Sequence, residues 1–453
     1  MVAPYWHFWE AVVDDDPSAP HRRLMSQSSA LAREFGDVRW SVLTDELDKE
    51  LEAVDLVVVV TTMAAPPEKV RTFLKTRSAC VVLVWAHHDT ARIPEPFTHE
   101  SITLRGATVG ASMMTASLSQ EGIEHDVVVG HSGSPEVRRS LSLAAAAAKV
   151  RGARLTVVGR PLGGYDFVLP PESELERLGI DIVAHTSEEL AEHCDRLMDS
   201  DVAGLRAELS EQFGAVTTEL GLDAALRYSV ALREIVLGDG ASAGAVNCHS
   251  PAIRGNSRFG EVAPCFALGR ETSCGRPFTC TGDVNTSLAM LIVASLGRPT
   301  MYHEMEAIDE VTDEVILANS GEHDDRFTSS NPVRAVANPW FPGGHPTPIL
   351  AAQIAAGPAS VVAVTVVDSR LRVIIAEGEF TDRRADLTGT MCAAFRFAGE
   401  TAGAGWTAWV RAGAGHHACA TDSHVREDLS ALCRHLGLEL VTVGRSHDVV
   451  GEA

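Results

Sequence analysis

A chain of 453 residues exceeds what one hydrophobic core usually organises, so more than one domain is expected. Its formal charge of −23 would be repelled by nucleic acid and by an anionic membrane surface, which argues against both as partners. An apolar fraction of 45% without a run long enough to span a bilayer is that of a globular protein, and the nine scattered cysteines, with no CxxC pair, suit a reduced cytoplasmic protein better than structural zinc.

The N-terminus lacks a basic flank followed by an apolar segment, so no signal peptide is expected. Leu56 to Thr61 (LVVVVT) and Val81 to Trp85 (VVLVW) are apolar, β-branched runs of strand length. Between them, Pro66 to Lys75 opens on prolines that suit a helix entry. A helix over Val109 to Gln120, a strand ending near Val129, an alanine-rich helix over Ser134 to Val150 and a strand over Arg154 to Val158 continue the alternation. Such alternation implies a parallel sheet covered on both faces.

The turn-rich stretch Gly159 to Pro171 reads as a crossing into a second α/β unit, and its RPLGG turn is open enough to approach a ligand. Beyond it the pattern predicts a strand near Leu178 to Val183, helices over Glu188 to Met198, Val202 to Leu220 and Asp223 to Leu237, and a strand over Ala243 to Cys248. A helix over Thr286 to Ser295 follows the Gly282–Asp283 turn, with short strands at Thr300 to His303 and Glu314 to Ala318. After the Pro- and Gly-rich segment Asn331 to Pro348, partly alternating strands are expected over Ser360 to Val367, Arg370 to Glu379 and Met391 to Phe397. A strand over Thr407 to Arg411, a helix over Arg426 to Leu436 and a last strand to Val443 complete the chain. The fold class expected is therefore α/β, with two Rossmann-like parallel-sheet domains, 1–160 and 161–335, and a smaller β-rich C-terminal domain, 336–453.

Chemistry-bearing residues concentrate between Gly260 and Asp325, at the ends of these elements, where α/β proteins place their sites. Asp283 stands where it can cap the helix that follows, and it also offers an acid. Glu304 ends a strand beside His303, which suits a metal ligand or a general base, although it also belongs to an acidic run. His416 and His417 lie in GAGHHACATD, where small neighbours leave room for a ligand; on extended backbone they point opposite ways, so one of them is expected to ligate. His323 in NSGEHDD is a further imidazole, and Trp85 sits at a strand end where it can touch a substrate.

Four stretches in this order resemble the L-fucose isomerase and L-arabinose isomerase superfamily. TTMAAPPEKVRTFLK followed by VVLVW is similar to the first-domain pattern. GEVAPCFALGRETSCGRPFTCTGDVNTSLAMLIVASLGRPTMYHE is similar to the core of the middle domain, VILANSG to a strand leading into a turn, and GAGHHACATDSHVREDLSALCRHLGLELV to the C-terminal His–His segment and closing helix. The likeness runs roughly from Asp55 to Val443. It implies an aldose–ketose isomerase architecture assembled as trimers or hexamers, a small-molecule sugar substrate and a divalent cation, usually Mn²⁺. In that chemistry acids move a proton between neighbouring carbons through an enediol.

Carried over by position, the resemblance makes Glu304 the second acid and His417, ahead of His416, the C-terminal metal ligand. Thr281 falls where the family has its first acid, and Asn319 where many members have a histidine; both are expected to face substrate. Asp283 and His323 are the nearest replacements for the missing groups. A neutral hydroxyl at Thr281 cannot serve as a base near neutral pH. Two alternatives therefore stand beside the isomerase expectation: a lyase or hydrolase acting on a sugar-derived substrate, and a non-catalytic carbohydrate-binding relative.

Overall fold

The computed structural model describes residues 1–4, 19–39, 41–43, 54–63, 66–75, 80–93, 95–103, 105–213, 219–254, 263–319, 321–328, 334–338, 347–351, 353–385 and 391–444. Most of the Pro- and Gly-rich segment predicted over 331–348 lies outside the described residues. The chain divides into two compact units, Met1–Gly152 with Ser430–Leu438, and Ala153–Leu429 with Glu439–Ala453.

In the first unit, β1 (Val2–Pro4), β2 (Ser41–Leu43), β3 (Leu56–Thr61), β4 (Val81–His87) and β5 (Asp126–Gly130) form a parallel sheet in the order β2-β1-β3-β4-β5. Both valine-rich runs are buried almost throughout, as a strand covered on both faces requires. Ser134 caps the helix Pro135–Val150, with proline at its entry. The sequence patterns gave no sign of β1, β2 or the helix Ala19–Ala32.

The second unit opens on a four-stranded parallel sheet ordered β7-β6-β8-β9, from β6 (Arg154–Val158), β7 (Asp181–His185), β8 (Ala243–Val246) and β9 (Phe278–Thr279). The strand predicted at Leu178 begins later because the helix Glu172–Leu178 continues to Gly179, whose φ of 65° ends it. The strand β10 (Met301–Asp309) is longer than expected, and β11 (Glu314–Asn319) pairs with it antiparallel. A small hairpin, β12 (Arg334–Asn338) with β13 (Thr347–Ala351), stands apart from the main sheet.

The C-terminal strands are β14 (Gly357–Val367), β15 (Arg370–Phe380), β16 (Met391–Phe397), β17 (His417–Thr421) and β18 (Glu439–Val443). They join β10 and β11 in the order β14-β17-β10-β11-β16-β15-β18, and β14 pairs back onto β15. That extra pairing closes six antiparallel strands into a barrel, which removes their open edges, while β18 adds parallel to the outside of β15. Met301, Leu317, Val361, Ile374, Phe395 and Ala418 belong to one apolar cluster within this sheet. The expected fold class, two parallel-sheet α/β layers and a β-rich C-terminal part, is what the chain adopts.

One predicted element is replaced. Thr407 to Arg411 is the end of a helix, Ala402–Arg411, and not a strand. Thr401 caps it by accepting from the Ala404 amide, which sets the helix going before the apolar residues that suggested a strand are reached.

Candidate functional site

Two pieces of the second unit meet at the site: the turn after β9 and the paired strands β10 and β17. The turn is Cys280-Thr281-Gly282-Asp283. Thr281 has φ 56° and Gly282 φ 74°, so two consecutive residues are left-handed. Glycine is required at the second position, since a Cβ there would lie 3.2 Å from the backbone of Pro161. At the first, a β-branched residue is a steric outlier of the kind that collects at functional sites. The Thr281 hydroxyl donates to the Cys280 carbonyl at 2.7 Å.

Asp283 ends the turn and caps the helix Val284–Ser295. Its Oδ1 accepts from the Thr286 amide at 2.8 Å, and its Oδ2 accepts from the Thr286 hydroxyl at 2.9 Å. Residues Val284 to Val293 of that helix are all buried, with the parallel strand β8 as one neighbour and β14 and β17 as others. The cap is therefore anchored where the two layers meet.

Register does the rest. In the antiparallel pair β10–β17, Glu304 lies directly opposite His417. His417 Nδ1 donates to Asp283 Oδ2 at 2.7 Å and Nε2 donates to Glu304 Oε1 at 3.1 Å. Burial disfavours the charged imidazole, but the bonds to Asp283 and Glu304 outweigh it and hold the His417 pKa up at about 9. Glu304 moves the other way: its bond to His417 lowers its pKa against the opposing effect of burial. The His416 ring is 3.6 Å from that of His417 and more exposed; burial, with the neighbouring His417, lowers its pKa.

Glu304, His416 and His417 each offer one ligand atom, and these atoms lie within 4.8 Å of one another, the set among the described residues with that property. One carboxylate and two imidazoles, with His416 open to solvent, form a donor set suited to a divalent transition metal that keeps positions free for substrate. Asp283 stands behind His417 on the ring nitrogen turned away from Glu304, the arrangement by which a carboxylate orients a metal-binding imidazole.

The remaining sequence-derived residues fall elsewhere. His323 is buried, opposite Met301 in an isolated antiparallel bridge; it is not in the ligand set, and burial lowers its pKa to about 4. Asn319 ends β11 and uses Oδ1 to accept from the Gly321 amide at 2.7 Å. Trp85 is fully buried in the first unit, and its indole N–H donates to the Gly130 carbonyl at 2.9 Å.

Two residues were not foreseen. The Tyr302 ring lies 4.8 Å from that of His417, on the same face of β10 as Glu304. Opposite Tyr302 is Glu322, whose carbonyl accepts from the Tyr302 amide at 3.0 Å. Alternation along the paired segments puts the Glu322 side chain on the face of Tyr302 and that of His323 on the face of Met301. Glu322 is fully buried, and the Cys265 thiol is its side-chain hydrogen-bonding neighbour. Burial, then the nearby Cys248 thiol, pushes its pKa up to about 7. The only sequence signal for it was the acidic density of NSGEHDD.

Residues 301–439 match the family model for the L-arabinose isomerase C-terminal domain. An L-arabinose isomerase of Arthrobacter sp. (strain FB24) is 27% identical over 326 residues, which cover 66% of this chain. The match spans 61% of that relative, less than two thirds of its length. Together these likenesses support the arabinose/fucose isomerase superfamily. Among the described residues no helix is long and apolar enough to cross a membrane.

Proposed function

We propose that this divergent member of the arabinose/fucose isomerase superfamily is a metal-dependent aldose–ketose isomerase acting on a small sugar or a modified sugar. The observation that carries the reading is the convergence of Glu304, His416 and His417, with ligand atoms within 4.8 Å. Glu304, His417 and His416 would hold a divalent cation, and Mn²⁺ is the ion that the family resemblance implies. The ion, when bound, would supply Lewis-acid polarisation of the sugar carbonyl.

The chain's own residues have separable tasks. Asp283 fixes the His417 ring by accepting from Nδ1, so that Nε2 would be the nitrogen to hold a cation. Glu304 takes the proton from the carbon beside the carbonyl and returns it to the carbonyl carbon, while the hydroxyl proton passes between the two adjacent oxygens. Atoms balance, and no outside oxidant is needed. Assembly into a homo-oligomer and a cytoplasmic setting accompany this reading.

Thr281 favours a second reading, in which the same scaffold runs a lyase or hydrolase reaction on a sugar-derived substrate. A neutral side chain, its hydroxyl spent on the Cys280 carbonyl, stands where the resemblance expects an acid.

The test pairs metal content with product analysis across pentoses and hexoses. Wild-type protein is expected to take up Mn²⁺ and to form ketose from at least one aldose, with both lost in Glu304→Gln and His417→Ala. Unchanged cation uptake and turnover in both variants would sink the assignment, and cleavage products in place of ketose would favour the second reading.

A further inference from the structure

The glycine turn after β6 brings two aromatic rings to the edge of the site. Tyr165 and Phe167 lie with ring centroids 5.4 Å apart, and they stand 5.6 and 5.9 Å from the ring of His416. His416 in turn is one of the three residues that can share a cation.

This segment is tied down on both sides. Its Pro161 packs against Gly282, where an added Cβ would approach within 3.2 Å. The Phe167 carbonyl accepts from Asn285 Nδ2 at 2.9 Å, in the first turn of the helix that Asp283 caps. Val168 N–H donates to the Tyr165 carbonyl at 3.1 Å and its side chain is buried. Phe167 nevertheless remains 55% exposed. A single exposed phenylalanine is ordinary. A second ring and an imidazole clustered with it, on backbone hydrogen-bonded to the Asn285 side chain two residues after Asp283, give it a position with chemical meaning.

We propose that Tyr165 and Phe167 form a stacking platform that selects the substrate by the apolar C–H face of a sugar. The carbons remote from the reacting oxygens would lie on these rings. Sugar C–H groups are slightly positive and ring faces slightly negative, so the two attract beyond the area they bury. Phe167 offers a face alone, and Tyr165 adds a phenol that can meet a hydroxyl at the rim. The substrate class that follows is an aldose with several carbons beyond the carbonyl, in preference to a three-carbon sugar. This inference deepens the isomerase reading and rests on it for the polar end of the substrate.

The experiment titrates a pentitol, which cannot react, into the full chain loaded with Mn²⁺, with calorimetry as readout. Tyr165→Ala and Phe167→Ala are expected to keep Mn²⁺ affinity and to weaken pentitol binding by about three- to ten-fold each, while Phe167→Trp retains it. Pentitol affinity left unchanged by both alanine variants overturns the platform alone, as does a Mn²⁺-loaded wild type that binds no pentitol. Wild-type protein that takes up no Mn²⁺ overturns the isomerase reading, and the platform with it.

Discussion

Asp283 and His417, 134 positions apart, are joined by a 2.7 Å hydrogen bond from the imidazole Nδ1 to the carboxylate Oδ2. One belongs to a helix cap beside the parallel sheet and the other to a barrel strand. The same carboxylate therefore satisfies the first turn of the helix Val284–Ser295 and sets the ring orientation of the proposed metal ligand.

These two tasks separate by substitution. Asparagine caps a helix about as well as aspartate but brings no charge to the imidazole. Asp283→Asn is expected to keep the helix cap, to lose in the metal-free protein at neutral pH the stability that the charged pair with His417 contributes, and to lower Mn²⁺ affinity by about 10- to 100-fold. Asp283→Ala should show the same loss of affinity and, in addition, a loss of about 1 kcal/mol of stability. Equal stability of the two variants in denaturant titrations would show that the cap matters little.

His417 gives the metal-free protein a pH dependence of definite sign. Its pKa is about 9 in the folded chain against 6.5 for an unperturbed histidine. The folded state holds a proton that the unfolded state has released, so this contribution is complete below about pH 6.5 and is lost as pH rises through about 9. A metal ion needs the neutral Nε2, and its binding near neutral pH should therefore release about one proton. Calorimetry in buffers of different ionisation enthalpy measures that number directly; a value near zero would mean that His417 does not change its protonation.

How much of this could be read from the chain alone differs by element. The runs LVVVVT and VVLVW were legible because a strand buried on both faces is written as continuous β-branched residues. Glu304 and the His416–His417 pair stood out by residue type, and Asp283 by its place before a helix. The opposition of Glu304 to His417 was not legible, because it depends on the register between strands far apart in sequence. Tyr302 and Glu322 were missed for the same reason, since each faces the site through a pairing made only in the folded chain. The helix Ala402–Arg411 was misread because its aromatic and β-branched end resembles a strand, whereas its start is decided by the Thr401 cap.

Thr281 carries a test of backbone strain. Its φ of 56° belongs to the region where a β-branched residue is disfavoured by roughly 1–2 kcal/mol. Thr281→Gly removes that conflict but also frees the unfolded chain and deletes the hydroxyl bond to Cys280. The three terms nearly cancel, and a net change of less than about 1 kcal/mol in denaturant titration is expected. A clear loss would mean that the hydroxyl contributes more than the strain costs.

Glu322 supplies the last prediction, and its sign is opposite to that of a paired carboxylate. Burial, and then the nearby Cys248, moves its pKa from 4.5 to about 7 against the opposing bond to Cys265. Below about pH 4.5 the acid is neutral in both states and costs nothing electrostatically. As pH rises through about 7 the unfolded state has already released its proton while the folded state must ionise a buried group, so stability falls. Glu322→Gln removes that slope and is expected to raise stability by about 2–3 kcal/mol near pH 8, with little effect near pH 4. His417 adds a fall of the same direction at higher pH, so the comparison is made between variant and parent at each pH. A parent and a Glu322→Gln variant whose melting curves run parallel from about pH 4 to 8 would show that the carboxyl has found a further partner or solvent in solution.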